Sequence, residues 1–204
     1  MIIADHTAKP EVVAADLLAQ AEHDVDARPI LITTRAALVD EVNSELQKQL
    51  AVLPTAPVAR EAVAKGFAVV APDMDAAICL SDAVGPEHLE IQTENADDVG
   101  RRCNHYGGLF IGEIAAEVLG DYGAGPNHVL PTGGTARYSG GLSVFNFVRI
   151  RTWMRIDDKL ASQQLVQDSI QLARLEGLEA HARAAEKRLV DSDAGESPTK
   201  KQRA

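Results

Sequence analysis

The feature that most constrains this chain is a glycine-rich segment at residues 120–147, GDYGAGPNHVLPTGGTARYSGGLSVFNF. Seven of the fifteen glycines lie between Gly120 and Gly141, and no helical or alternating apolar pattern runs through them. Loops this long without secondary structure are uncommon in compact domains, and most are either functional or disordered. The aromatic and aliphatic residues within this one are anchors that disordered segments lack. We therefore expect an ordered loop that forms part of a functional site.

The preceding residues alternate short apolar runs with longer amphipathic segments. The apolar runs predict strands at residues 2–5, 29–34, 67–71, 89–92 and 109–112, of which 29–34 and 67–71 are expected to be buried. The segments between them predict helices that begin at Pro10, cover 35–50, end at Gly66, cover 73–83 with Asp73 as the cap, and cover 95–104. This alternation is typical of an α/β fold with a mainly parallel sheet.

The character of the chain changes after the glycine-rich segment. Residues 157–189 have a mostly helical pattern, interrupted near Gly177, and no strand accompanies them. Such an arm buries little apolar surface alone, so docking on another subunit would stabilise it. We expect a first domain at 1–148, a helical dimerisation arm at 149–190 and a disordered polar tail at 191–204.

Composition and charge exclude several classes of partner. The formal net charge of −10 argues against nucleic acid, because such binding depends on clustered Lys and Arg. No apolar stretch approaches the roughly 20 residues that span a bilayer, and the first residues lack the pattern of a secretion signal. Cys79 and Cys103 form no CxxC motif and are too few for a disulfide framework. These features predict a reduced, cytoplasmic protein with no membrane partner.

Gln20 and His23 lie three residues apart on the first predicted helix and therefore on one face of it. Gln20 falls on the apolar stripe, where a polar side chain needs a partner. Two interpretations are open. Gln20 could form a hydrogen bond with a nearby loop, or the two residues could be metal ligands, with a nitrogen from His23 and a carbonyl oxygen from Gln20.

Glu87 and His88 follow the turn at Gly85 and Pro86 and precede a predicted strand. Strand ends are where α/β folds keep their reactive groups. A glutamate and a histidine at such a place can supply a general base and a group that activates water. A surface pair at a turn is the alternative.

Asp121 and His128 lie within the glycine-rich segment. Its GAGPNH portion is not a dinucleotide-binding G-x-G-x-x-G motif, because His128 replaces the third glycine and Pro126 stands where the helix should begin. We interpret Asp121 as a hard metal ligand and His128 as a polar contact in the same pocket, although ordinary turn roles explain the loop as well. On the arm, His181 follows Glu176 by five residues, where a solvated helix face is the alternative.

Four segments, taken in order, resemble histidinol dehydrogenase. They are DLLAQAEHD at 16–24, GPEHLEI at 85–91, GDYGAGPNHVLPTGGTARYSGGLSV at 120–144 and EGLEAHARAAEKR at 176–188. The resemblance runs from about residue 2 to about residue 190, and the long glycine motif is its most specific part. It covers only the C-terminal half of the family's chain.

The resemblance implies a homodimeric enzyme that uses zinc and NAD to oxidise L-histidinol to L-histidine through the aldehyde, the last steps of histidine biosynthesis. Family members have an N-terminal half with a Rossmann-like domain that binds most of the NAD. No glycine-rich strand–turn–helix replaces that domain in this sequence. We therefore expect an incomplete Rossmann-like domain with an unpaired sheet edge, followed by the helical arm.

By motif, Gln20, His23 and Asp121 resemble three zinc ligands of the family. His181 resembles the fourth, which in this family comes from the partner subunit. Zinc would polarise and orient the amino alcohol of the substrate.

Glu87 and His88 match the catalytic pair of the family. His88 would take the alcohol proton, and Glu87 would activate water for the second oxidation. His128 and Glu176 match substrate-contacting positions. The substrate contacts that the resemblance implies are Gln20, His23, Glu87, His88, Asp121, His128, Glu176 and His181.

Two alternatives to this function remain from the sequence. The chain could be a non-catalytic zinc-binding dimerisation fragment, because the hydride acceptor's domain is missing from it. It could also be a related dehydrogenase that acts on another amino alcohol or on a sulfonated alcohol, since membership of a family does not fix the substrate.

Overall fold

The computed structural model describes residues 1–190, so the predicted disordered tail at 191–204 lies outside the described residues. The chain divides into two compact units, the first at Met1–Val148 and the second from Arg149 onward. Among residues 1–190, none of the helices combines the length and the apolar character that crossing a bilayer requires.

The first unit is built on a parallel sheet of five strands in the order β3-β2-β1-β4-β5. The strands are β1 (Ile2–Ala4), β2 (Ile30–Thr33), β3 (Phe67–Val70), β4 (His88–Gln92) and β5 (Gly108–Ile111). In the central register Ile3 lies opposite Ile32 on one side and Ile91 on the other. The predicted α/β class with a parallel sheet is confirmed.

Six helices accompany the sheet: α1 (Pro10–Ala21), α2 (Ala36–Leu50), α3 (Ala56–Lys65), α4 (Met74–Val84), α5 (Ala96–Arg102) and α6 (Glu117–Tyr122). Because side chains alternate along a strand, β1 presents Ile2 and Ala4 to one face and Ile3 to the other. Apolar side chains of α1, α2 and α3 pack on the first face, and those of α4 and α5 pack on the second. The sheet is therefore covered on both faces, as parallel sheets usually are.

Local sequence rules explain where several helices begin and end. Pro10 occupies the first turn of α1, where its missing N–H costs nothing. The Asp73 side chain accepts a hydrogen bond of 2.8 Å from the backbone N–H of Ala76 and caps α4. Gly85 ends α4 in the left-handed region, at φ 61°.

One expectation about the sheet is wrong. The strand β3 was expected to be buried, but Phe67 and Val70 are each 51% exposed because β3 is an edge strand that pairs only with β2. The expected unpaired edge was not assigned to a strand, and in the observed order the edge strands are β3 and β5, while β1 is central. The exposure of β3 depends on the strand order, which no local pattern encodes.

The glycine-rich segment is not wholly without secondary structure. Its first residues belong to α6, and two single turns of 3-10 helix follow at Thr135–Arg137 and Val144–Phe147. Asp121 therefore lies on a helix rather than on a loop, which is a correction to the sequence analysis.

The second unit contains two helices, α7 (Gln163–Leu175) and α8 (Glu179–Glu186). They pack on each other through Val166, Ile170 and Ala182. Gly177, at φ 76°, lies in the short connection between them, so the predicted interruption near Gly177 is confirmed. Within the described part of this unit there is no strand.

Candidate metal and acid–base site

The candidate site lies at the amino ends of the strands, where β4 begins. Glu87 precedes this strand and His88 is its first residue. The tight turn at Gly85, which ends α4, positions Glu87 and His88 at the start of the strand. Parallel sheets more often hold their ligands at the carboxyl ends of their strands. The predicted pair is therefore at a strand end, but at the amino end.

Three side chains near this end of the sheet form a cluster that could hold a metal ion. His23, Glu117 and Asp121 each offer one ligand atom, and these atoms all lie within 4.8 Å of one another. Glu117 and Asp121 are four residues apart on α6 and so share one face of the helix. Glu117 is buried, Asp121 is half-buried and His23 is exposed.

Gln20, the penultimate residue of α1, has a buried amide nitrogen. Its Nε2 atom has no hydrogen-bond partner among the described residues. A buried donor without a partner is costly, and the two ends of an amide are assigned from the hydrogen-bond network rather than observed. Rotating the amide would turn its carbonyl oxygen into that space, as a metal ligand would require. Among residues 1–190, no loop satisfies Nε2.

His88 and Glu117 approach each other inside the site. His88 Nε2 lies 3.4 Å from Glu117 Oε1, and the two side chains are 12% and 4% exposed. The orientation of these two atoms does not make a hydrogen bond, and both lack any other partner in residues 1–190. Burial lowers the pKa of His88 to about 4 and raises the pKa of Glu117 to about 7. At neutral pH the imidazole is therefore uncharged and able to accept a proton.

Glu87 is half-buried and immediately precedes His88, the first residue of β4. Burial raises the pKa of its carboxyl group, and the negative charge of Asp121 adds to the effect. A carboxylate with a raised pKa is a better proton acceptor than an exposed one.

The glycine-rich segment closes part of the site. A cavity of about 180 Å³ lies between β5, α6 and this segment, and its lining includes Phe110, Asp121 and Leu142. The guanidinium of Arg137 donates hydrogen bonds to the carbonyl oxygens of Ala83 and Gly134, which ties the segment to the end of α4. The segment is thus held beside the candidate site by its own side-chain contacts.

The remaining predicted residues are not in this cluster. His128 is exposed on the glycine-rich segment and is not part of the cavity lining. Glu176, at the end of α7, and His181, on α8, are exposed residues of the second unit.

A second, polar crevice lies at the carboxyl ends of the strands, at the other end of the sheet from the candidate site. It has a volume of about 410 Å³, and its lining includes Asp5, His6, Thr34, Asp73 and Arg102. Arg102 pairs there with Asp75 and Asp98. None of the predicted site residues belongs to this crevice.

Glu117 is the residue of the site that the sequence analysis missed. Its spacing from Asp121 was the signal in the sequence, because it puts two carboxylates on one helical face. The glycines at 120 and 123 concealed the helix, because glycine has a low helix propensity.

The fold and the site together define an α/β protein of Rossmann-like architecture, in which nitrogen and oxygen donors lie beside a buried histidine and a half-buried glutamate. The family model for histidinol dehydrogenase matches residues 1–189. The chain belongs to the histidinol dehydrogenase family, which is a family of oxidoreductases. The resemblance stated from the sequence motifs is confirmed.

Individual relatives give the extent of the match. The histidinol dehydrogenase of Nitratidesulfovibrio vulgaris is 50% identical over 187 residues, which are 91% of this chain and 43% of the relative. That of Thermus thermophilus is 44% identical over 188 residues, or 92% and 45% of the two chains. The crystal structure of the enzyme from Elizabethkingia anophelis matches with a TM-score of 0.88 at 35% identity, covering 92% of this chain and 43% of that one. The chain thus spans about half the length of the curated relatives that it matches.

Proposed function

We propose that this chain supplies the zinc-binding and acid–base half of a histidinol dehydrogenase, which oxidises L-histidinol to L-histidine with NAD in histidine biosynthesis. The observation that supports this most is the gathering of His23, Glu117 and Asp121 within 4.8 Å. His88, a neutral proton acceptor, lies against Glu117 in the same place. The biosynthetic role favours a cytoplasmic location.

The donor set fits zinc. Imidazole nitrogen and carboxylate oxygen are ordinary zinc ligands, and the unpartnered amide of Gln20 is available as a further oxygen donor. We expect Gln20, His23 and Asp121 to hold the ion, together with His181 of a second copy. When bound, zinc would act as a Lewis acid and as a template for the amino alcohol.

The chain's own residues would handle the protons. His88 would accept the alcohol proton of histidinol, because its buried imidazole is uncharged at neutral pH. Glu87 would take a proton from water in the second oxidation, which its raised pKa favours. His128 and Glu176 would contact the imidazole-bearing substrate.

The test is reconstitution of activity. The chain is co-expressed with the N-terminal portion of the Nitratidesulfovibrio vulgaris relative that it does not match, and NADH formation is followed with L-histidinol and zinc. We expect turnover, and a loss of about a hundredfold or more in His88→Ala, since general base catalysis contributes roughly that factor. His6→Ala, an exposed histidine at the other end of the sheet, should retain activity.

A folded, zinc-loaded mixture without turnover would instead favour the second candidate, a non-catalytic zinc-binding dimerisation module. One observation favours that candidate: the helical unit leaves large apolar side chains in solvent, with Leu172 at 60% and Leu175 at 83% exposure. Such a surface suits a protein partner.

A further inference from the structure

A buried polar cluster lies directly behind the candidate site. Glu90 and Gln92, which are 5% and 4% exposed, follow His88 on β4 at every second position and so point to the same face of the sheet. The side-chain N–H₂ of Gln92 donates to Asp16 Oδ2 at 2.7 Å and to Glu90 Oε2 at 3.2 Å. The mechanism proposed above uses none of these three side chains.

Each member of this cluster belongs to an element that holds part of the site. Asp16 is on α1, one turn before Gln20 and less than two turns before His23. The other oxygen of Glu90, Oε1, accepts a hydrogen bond of 3.1 Å from the backbone N–H of Glu117, the first residue of α6. The Glu90 side chain therefore connects β4 with α6 directly, and with α1 through Gln92.

This connection is difficult to replace. A helix begins with backbone N–H groups that have no partner inside the helix, and the one at Glu117 is buried and is satisfied by Glu90. Burial raises the pKa of Glu90 to about 7, and the charge of Asp16 adds to this. A cluster that is satisfied in this way is rigid, and removing one member leaves the others unpaired.

We propose that Glu90 is a positioning residue, which fixes the amino end of α6 to β4 and α1 and thereby sets the distance of Glu117 and Asp121 from His88 and His23. Outer groups that orient ligands in this way typically change metal affinity by 10- to 100-fold when they are removed. The inference rests on the proposed function for the metal that is bound, but the geometry of His88 and α6 can be measured without a metal.

The test compares Glu90→Gln with Glu90→Leu in the full 204-residue chain. Glutamine retains an oxygen that can accept from the Glu117 N–H, whereas leucine has similar bulk and no acceptor. Co²⁺ is titrated as the probe, and its visible absorption gives both affinity and ligand geometry. We expect Glu90→Gln to match the parent chain, and Glu90→Leu to bind Co²⁺ about tenfold or more weakly with an altered spectrum.

The matched control is Ser81→Ala. Ser81 is 0% exposed, its hydroxyl has no partner among the described residues, and α4 contributes nothing to the cluster. This variant also removes a buried polar group, so it shows what a general loss of core polarity does. A folded Glu90→Leu chain with unchanged Co²⁺ affinity and spectrum would overturn the proposal.

Two further arms cover the other outcomes. If Glu90→Leu does not fold, Glu90→Asp replaces it in the test. Aspartate keeps the carboxylate but is too short to reach α6 in the same way. An unchanged Co²⁺ spectrum in Glu90→Asp would again overturn the proposal. If the parent chain binds no Co²⁺, the proposed metal function fails. The NMR signal of the His88 ring in the metal-free chain then decides: it should shift in Glu90→Leu and stay in place in Glu90→Gln.

Discussion

At the scale of single residues, one physical cause gives His88 and Glu117 their chemistry. Both side chains are removed from water, and burial disfavours the charged form of each. The imidazole therefore loses its proton more easily, while the carboxyl group keeps its proton longer, with pKa values of about 4 and about 7. A neutral acceptor beside a carboxyl group that titrates near neutrality is suited to moving protons.

The raised pKa of Glu117 predicts how its contribution to stability depends on pH. The folded chain keeps the Glu117 proton between pH 4.5, the ordinary value, and about 7, while the unfolded chain releases it. This contribution is therefore largest in acid and is lost as the pH rises through that window. The free energy of unfolding of the metal-free parent should therefore fall, relative to that of Glu117→Gln, by about 2 kcal/mol between about pH 5 and about pH 8. This value includes an allowance for solvent screening.

Urea unfolding of both proteins with a chelator present measures this difference. The variant serves as the control for every other titrating group, including His88, whose lowered pKa acts in the opposite direction. Unfolding free energies that stay parallel across the pH range would contradict the prediction.

The motifs proposed a set of site residues, of which the structure brings some together, and they did not include Glu117. Gln20, His23 and Asp121 were proposed from type and spacing, and the structure gathers His23 with Asp121. Glu117 was missed because its role depends on α6, whose formation beside Phe110 is a matter of tertiary packing. The pKa shift of a buried group is likewise invisible in sequence, since it depends on neighbours that are distant along the chain.

At the scale of secondary structure elements, the close approach of α6 to β5 fixes the position of Asp121. Gly120 lies in α6 opposite the Phe110 ring, and a Cβ atom at this position would lie 2.7 Å from Phe110 Cε1. That separation is far below a normal contact, so any larger residue must push the helix or the ring away. The centroid of the Phe110 ring also lies 6.2 Å from the centroid of the His88 ring. The Phe110 ring therefore lies next to both His88 and the helix that carries Asp121.

Replacing Gly120 with alanine should therefore loosen the site. We expect Gly120→Ala to lower the free energy of unfolding by about 1–3 kcal/mol, the usual cost of overpacking, and to weaken Co²⁺ binding because Asp121 moves with α6. Denaturant unfolding and the Co²⁺ titration measure the two effects. Gly140→Ala is the control, because nothing lies within 4 Å of a Cβ atom there. Equal behaviour of the two variants would show that α6 tolerates the added methyl group.

Local sequence rules account for elements better than for their arrangement. Pro10 and Asp73 correctly marked helix starts, because capping depends on a few neighbouring residues. The exposure of β3 could not be predicted in this way. An apolar run of four residues looks the same in a central strand and in an edge strand, and only the strand order distinguishes them.

At the scale of the whole molecule, the proposed site needs a second copy of the chain. His181 is exposed on α8, and in the proposed function it completes the zinc site of a partner. The loss of the strand pattern after the glycine-rich segment predicted a separate helical arm. The lone helical pattern predicted docking on another subunit, whereas the role of His181 as a shared ligand came only from the family motif.

We expect His181→Ala to lower the zinc content of the purified chain and to shift it from dimer toward monomer. The loss of one ligand weakens a metal site that also links two copies. Zinc is measured by elemental analysis and the oligomeric state by light scattering. Lys187→Ala, an exposed residue just after the same helix, is the control. If zinc content and dimerisation are both unaffected in His181→Ala, this residue is not a shared ligand.

The location of the reactive groups at the amino ends of the strands has a practical consequence. The polar crevice of about 410 Å³ lies at the other end of the sheet, a full strand length away, which is roughly 15 Å for a strand of this kind. A fluorescent dye or a surface tether attached at that end of the sheet would report on folding and assembly without contacting the residues of the proposed site. The protein thus offers one end of the sheet for labelling, away from the proposed site at the other end.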